Sequence, residues 1–260
     1  TQAFKVPSPA SLAMPTDSIT WVYTPPGYDG TDATRYPVVY LIHGSPGASG
    51  DWFAAGDAPH AMDVLIEAGL VQPMIVVSVD VNGTGADTDD TECLDSTRGG
   101  SQVETYLTTV LVPWVDATFA TEPDAAHRVI GGFSSGGFCT LDQGLRHPEL
   151  WGTLLAVAPY ATPGDGGDAM LATHEEWLTH DVTAYAPTMT IDPDQHVFIA
   201  VSAESTAPAV DAVRTVAQTL DDRGADVVLD EVTGVGHTWT MARSTLPYGL
   251  VWASGRMSGG

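Results

Sequence analysis

His127-Arg-Val-Ile-Gly-Gly-Phe-Ser-Ser-Gly-Gly-Phe-Cys139 is the stretch whose reading decides the fold. An apolar run compatible with a buried strand enters Gly132-Phe133-Ser134-Ser135-Gly136, and a helix-compatible segment follows at once. G-x-S-x-G between a strand and a helix is a nucleophile elbow: the serine sits on a tight turn with its hydroxyl pushed out at the end of a sheet. Glycines two residues to either side let the backbone pass its neighbours without a Cβ clash. The following helix aims its N-terminal amides at developing negative charge. Ser134 is the candidate nucleophile, and the rest of the chain is read for the groups such a serine needs.

A serine hydroxyl is a poor nucleophile near neutral pH and requires an adjacent base, usually a histidine oriented by a carboxylate. With an elbow of this kind the chain order is Ser, then Asp or Glu, then His. Gly236-His237-Thr238-Trp239 follows the last expected strand, so His237 is the candidate base. Of the other seven histidines, His43 reads as support for the loop after its own strand, His127 and His147 flank the elbow strand and its helix, and His60, His174, His180 and His196 sit in no motif. The acid should follow the strand ending at Ser202. Glu204 is the first carboxylate there and Asp211 the alternative. The oxyanion hole needs two backbone N–H groups. Ser135, directly after the nucleophile, supplies one, and Ser45, in the loop after His43-Gly44, is the expected second.

Around these residues apolar runs alternate with helix-like segments, which implies a mainly parallel sheet with helices on both faces. Strands are expected over 18–23, 36–42, 73–80, 128–133, 153–157, 196–202 and 225–232, and helices over 57–68, 101–119 and 209–223, with 239–252 closing the domain. The stretch 161–193 breaks the rhythm with Pro, Gly and Asp and is expected to form a cap insertion, to about residue 195, within one domain over residues 1–260. That length suits a single α/β domain.

The chain carries 33 acidic against nine basic residues, a net charge of -24, and Lys5 is its one lysine. Such a charge repels phosphate backbones and anionic lipid, which excludes nucleic acid as a partner. No apolar run approaches the ~18–20 residues of a membrane span. The chain starts at Thr1 with no charged-then-apolar leader, as a mature product with its export signal removed would. Asp87, Asp89, Asp90, Glu92 and Asp95 cluster within nine residues. Their spacing is not that of an EF-hand, so a solvated acidic loop is expected and no metal site. Cys93 and Cys139 fall near the same end of the expected sheet, either as a disulfide or as two buried thiols.

His43-Gly44 with Trp52 downstream, Glu104-Thr-Tyr-Leu107, Gly131-Gly-Phe-Ser-Ser-Gly-Gly137, Arg146-His-Pro148 and Gly236-His-Thr-Trp239 together resemble the putative-esterase family of α/β-hydrolases, from Tyr36 to about Trp252. That family includes esterase D-like enzymes, feruloyl esterases and the antigen 85 mycolyltransferases. The resemblance implies an α/β-hydrolase fold and Ser134 and His237 as nucleophile and base. It implies the Ser45 and Ser135 amides as the oxyanion hole, a Cys93–Cys139 pairing and a secreted protein. It implies a serine carboxylic-ester hydrolase with no cofactor, acting on acyl or feruloyl polysaccharide esters, small acyl esters or polyesters. Trp52 and Trp239 are the candidate acyl-binding wall, with core packing as the other role open to them. One departure stands out. Many members carry Gly-x-x-Asp after the seventh strand, where this chain has Ser202-Ala-Glu-Ser205. The Asp position holds Ser205, so Glu204 with its longer reach, or Asp211, has to serve. An acyltransferase, or a non-catalytic module on the same fold, is the alternative reading.

Overall fold

A computed structural model describes residues 1–84 and 90–257. Its centre is one eight-stranded sheet, built from β1 (Gln2–Phe4), β2 (Thr20–Tyr23), β3 (Val38–Ile42), β4 (Ile75–Val79), β5 (Arg128–Phe133), β6 (Thr153–Val157), β7 (His196–Ser202) and β8 (Asp226–Val232). The spatial order is β1-β2-β4-β3-β5-β6-β7-β8. β1 and β2 pair antiparallel at one edge, and β4 through β8 run parallel. β1 was not expected from sequence. It is three residues long, too short to show a period.

β3, β4, β5 and β6 are buried along their whole length, which is why they read as continuous apolar runs and not as alternating ones. Successive side chains still point to opposite faces. Tyr40, Ile42, Ile130, Leu154 and Ile199 enter one core, and Val39, Leu41, Val129, Leu155 and Phe198 the other. The first core is closed by the helix after the elbow, through Phe138, Leu141 and Leu145. The second is closed by Met62 and Leu65 from one helix and Met241, Leu246 and Leu250 from another. Truncating a fully buried leucine such as Leu141 in a core of this kind costs about 2–5 kcal/mol.

The helices are α1 (Asp51–Ala54), α2 (Ala58–Glu67), α3 (Val103–Tyr106), α4 (Val112–Thr118), α5 (Ser135–Arg146), α6 (Gly164–Met170), α7 (His174–Leu178), α8 (Val182–Tyr185), α9 (Pro208–Asp222) and α10 (Trp239–Met257). The helix expected over 101–119 runs unbroken as α3, a π-helical stretch over Leu107–Leu111, and α4. The expected break over 161–193 contains α6, α7 and α8, too short and too rich in Gly and polar residues to carry a clear helical period. No helix among the described residues is long and apolar enough to cross a membrane.

This topology positions the site. Strand order reverses between β3 and β5, so the loops leaving their carboxyl ends diverge and open a crevice. His43-Gly44 leaves β3, Ser134 leaves β5, Glu204 follows β7 and His237 follows β8. All four therefore come to the same edge of the sheet.

Candidate active site

Ser134 occupies the turn between β5 and α5 at φ 60°, ψ -116°, in a region that non-glycine residues rarely adopt. Such strain persists only where the surroundings impose it. Here the Ser134 N–H donates to Val157 O at 3.0 Å, and the Ser134 carbonyl accepts from Phe138 N at 3.0 Å, closing the first turn of α5. A Cβ on Gly136 would fall 2.3 Å from Ile42 O and 2.5 Å from His43 O. Only glycine lets α5 approach the end of β3 this closely. Gly44 is the reciprocal case, where an added Cβ would meet Phe133 O at 3.1 Å and Ser134 Cβ at 3.2 Å. The loop after β3 thus lies directly against the nucleophile.

That loop is held from several sides. His43 Nδ1 is 2.8 Å from Gly44 O, and His43 Nε2 accepts the Val81 N–H at 3.2 Å, which selects the neutral ring protonated on Nδ1. Asn82 Nδ2 donates to Gly47 O at 2.8 Å. His43 therefore supports the loop, as its sequence context implied. Ser45 stands next to Gly44 and Ser135 opens α5, the places a pair of oxyanion donors requires.

His237 Nε2 lies 2.8 Å from Ser134 Oγ, over 103 residues of separation. The imidazole packs on Phe133 with ring centroids 5.0 Å apart while its outer edge stays exposed, and the resulting partial desolvation holds its pKa below the ordinary histidine value. An imidazole kept neutral in this way can accept a proton from a serine hydroxyl.

Neither candidate acid bonds to His237. Glu204 Oε1 accepts the Gly234 N–H at 2.7 Å, and Glu204 Oε2 lies 3.2 Å from Ser202 Oγ. The Gly234 amide and its own backbone N–H hold the Glu204 carboxyl below the usual range, so it is ionised. Asp211 sits on α9 and pairs with Arg214 at 2.8 Å. Among the described residues no carboxylate accepts from His237 Nδ1. Glu204 and His237 do share a cleft of about 410 Å³, whose apolar lining is Ala158, Val201, Val210, Val235 and Met241.

The two tryptophans separate. Trp52 is fully buried, its indole N–H donating to Ile42 O at 2.7 Å, so it cannot touch a substrate. Its place in the expected acyl wall is corrected to core, for the reason that it spans the gap between α1 and the end of β3. Trp239 is half-buried and lies between Trp52 and Phe133, with centroids 5.2 and 5.0 Å away.

Cys93 and Cys139 are bridged, with Cα atoms 5.5 Å apart. The described part of the acidic cluster around Cys93 is not the solvated loop expected. Asp87 and Asp89 lie outside the described residues, but Glu92 is 2% exposed and Asp95 accepts the Thr105 N–H at 2.9 Å near the start of α3. The motif residues Glu104, Arg146 and His147 also find a common purpose. Glu104 accepts from Arg146 at 2.7 Å and lies 2.8 Å from His147 Nε2. Burial alone would raise the Glu104 pKa, but the bonds to His147 and Arg146 bring it down to about 2. Arg146 also approaches buried Asp142 and His180, the latter from the segment between α7 and α8. Glu104, Asp142 and His180 converge closely enough to bind a cation, yet the Arg146 guanidinium already stands among them. Sequence reasoning missed His180 and Asp142 because nothing near either residue forms a pattern.

A family profile described as "Putative esterase" matches residues 11–252. An uncharacterized protein of Corynebacterium glutamicum is 28% identical over 254 residues, covering 91% of this chain and 57% of that protein. An endo-1,4-beta-xylanase/feruloyl esterase of Xylanibacter ruminicola is 34% identical over 134 residues, covering 50% of this chain and 18% of the other. The chain thus spans little more than half the length of the first of these curated relatives and under a fifth of the second. Among solved structures, an S-formylglutathione hydrolase from Agrobacterium tumefaciens superposes with a TM-score of 0.80 at 17% identity, over 98% of this chain and 95% of the other.

Proposed function

Because the chain belongs to the putative esterase family, we propose that it is a serine carboxylic-ester hydrolase that works through an acyl-enzyme. The observation that carries this reading is the 2.8 Å contact between Ser134 Oγ and His237 Nε2 at a strained elbow heading a twelve-residue helix. His237 takes the hydroxyl proton as Ser134 Oγ attacks the ester carbonyl carbon. The Ser135 and Ser45 amides receive the negative charge that develops on the carbonyl oxygen. The tetrahedral intermediate collapses, and His237 returns its proton to the departing alcohol. Water, deprotonated by the same imidazole, then releases the acid.

Glu204 is the acid of this proposal. Among the described residues it is the one carboxylate lining the cleft beside His237, it is ionised, and it fixes the Gly234 turn three residues before the histidine. Asp211 is paired instead with Arg214 on α9 and does not line that cleft. The cleft's apolar lining suits an aliphatic or aromatic acyl group, and the xylanase/feruloyl esterase relative favours esters borne on plant polysaccharide. Residues 1–260 form one domain in this reading, with α6 to α8 as its cap, and the bridged cysteines favour an oxidising, extracellular location.

The test is hydrolysis of p-nitrophenyl acetate, butyrate and octanoate, with methyl ferulate alongside, by the wild type and by Ser134→Ala. Loss of at least about 10³-fold in the variant is expected. Equal rates for the two proteins would overturn the reading.

A further inference from the structure

Behind the elbow lies a second polar cluster that the ester chemistry does not itself use. Glu92, on the loop that carries Cys93, is buried against the residue that follows the nucleophile. Ser135 Oγ lies 3.2 Å from Glu92 Oε2 and 3.0 Å from Asp90 Oδ1. On the other side, Tyr160 donates its hydroxyl proton to Glu92 Oε1. Tyr160 leads from β6 toward the cap, and its ring stacks on Phe138 of α5 at 5.6 Å. The cap closes the cluster from outside: a Cβ on Gly166 of α6 would fall 2.7 Å from Glu92 Cγ and 2.8 Å from Asp90 O.

We propose that Glu92 is a positioning residue for the reaction at Ser134: through Ser135 and Tyr160 it holds the oxyanion-binding amide and the entrance to the cap in register. The proposal rests on the reading of Ser134 as nucleophile. Three independent features converge on it. Glu92 and Cys93 both take positive φ, 50° and 56°, and two successive non-glycine residues hold that conformation only where their surroundings impose it. The disulfide then ties Cys93 to Cys139, one helical turn beyond Ser135. Finally, Ser135 and Glu92 are each almost wholly buried, and a carboxyl removed from this site leaves the Tyr160 hydroxyl without its acceptor.

Tyr160 supplies one proton, to Glu92, and Ser135 supplies one, to the nearer Asp90 oxygen. Glu92 and Asp90 are left facing each other, and among the described residues no Lys, Arg or His pairs with either. The first turn of α5 offers only Ser135 as a polar partner, α6 turns Asp165 and Asp168 to solvent, and Tyr160 remains protonated because burial raises its pKa. Burial first, and the Asp90 charge second, push the Glu92 carboxyl well above the usual range. Burial and the neighbouring Asp90 thus favour the protonated form of the Glu92 carboxyl. Raising the pH through its pKa removes that proton and sets two carboxylates against each other behind the oxyanion hole.

The experiment compares wild type, Glu92→Gln, Glu92→Ala and Tyr160→Phe from about pH 6 to about pH 10. Two readouts are taken: kcat and KM for p-nitrophenyl acetate, and the rate at which an alkyl p-nitrophenyl phosphonate phosphonylates Ser134, followed by intact mass. The second needs only the nucleophile, its base and the oxyanion hole, so it does not depend on the choice of ester. Glu92→Gln keeps a neutral donor toward Asp90 and an acceptor for Tyr160. It should retain kcat near neutrality within about twofold and lack the decline the wild type shows as pH rises. Glu92→Ala should lower kcat about 10–100-fold with KM little changed, a fraction of what losing an oxyanion donor outright costs. Tyr160→Phe should fall between the two. Coincident pH profiles for wild type and Glu92→Gln would overturn the proposal, as would wild-type kcat in Glu92→Ala. Should Glu92→Ala not fold, the Glu92→Gln profile decides alone. Ser134→Ala run beside them separates this outcome from failure of the esterase reading, which would show as phosphonylation and turnover independent of Ser134.

Discussion

Glu204 Oε1 accepts the Gly234 N–H at 2.7 Å, which ties the exit of β7 to the turn that carries His237. Ser202 Oγ, 2.7 Å from Val235 O, adds a second tie one residue along that turn. The ionised carboxylate of Glu204, the candidate acid, is thus engaged with the backbone of the histidine loop and lines the same cleft as the imidazole. Glu204→Gln can keep an oxygen for Gly234 but loses that charge. It is expected to lower kcat about 10²-fold or more, while Asp211→Asn stays within about twofold. Steady-state kinetics on one p-nitrophenyl ester decides, and the reverse ranking would move the acid to Asp211.

The pH dependence at the acidic end follows from His237. General-base action needs the neutral imidazole, and desolvation against Phe133 lowers its pKa, so activity rises with pH through a midpoint below the ordinary value of about 6.5. A pH profile of kcat/KM reads this limb. Replacing Phe133 with Ala re-exposes the ring and should move the midpoint upward. A midpoint above that of a free histidine would refute the assignment.

Gly136→Ala tests the packing of the elbow. The new methyl would meet two backbone carbonyl oxygens at 2.3 and 2.5 Å, and neither can swing aside as a side chain could. A loss of about 2–5 kcal/mol is expected, with the elbow distorted and activity gone. Urea denaturation of the variant measures it. Wild-type stability would mean that α5 can back away from β3.

The Cys93–Cys139 bridge closes a loop of 46 residues in sequence separation, for which the chain-entropy account gives stabilisation of about 4 kcal/mol. The double replacement Cys93→Ala/Cys139→Ala is expected to lose about 2–4 kcal/mol in denaturant unfolding. Its kcat should also fall, because Cys93 anchors the loop that presents Glu92 to Ser135. A variant of unchanged stability and turnover would show that buried packing alone holds this loop.

Much of this molecule was legible before folding. The elbow strand and the flanking glycines could be read because a buried parallel strand is continuously apolar and the turn tolerates only small neighbours. The place of His237 after the last strand followed from chain order alone. Trp52 was misplaced because an indole in a wall and an indole in a core look identical in sequence, and only the bond to Ile42 O decides between them. Glu92 was read as one acid in a solvated run, since local composition says nothing about what later packs over a loop.

By itself the sequence determined the alternation of strands and helices, the candidate nucleophile and base, and the placing of two cysteines near one end of the sheet, because each of these rests on local pattern or on order along the chain. The tertiary structure decided everything that depends on distance between remote segments. It brought Ser134 to 2.8 Å from His237 and left Glu204 on the Gly234 amide. It set Arg146 among Glu104, Asp142 and His180, and it enclosed Glu92 beneath α6. The physical reason is that burial and hydrogen bonding across the carboxyl ends of parallel strands depend on what each crossover brings together, which no window of sequence contains.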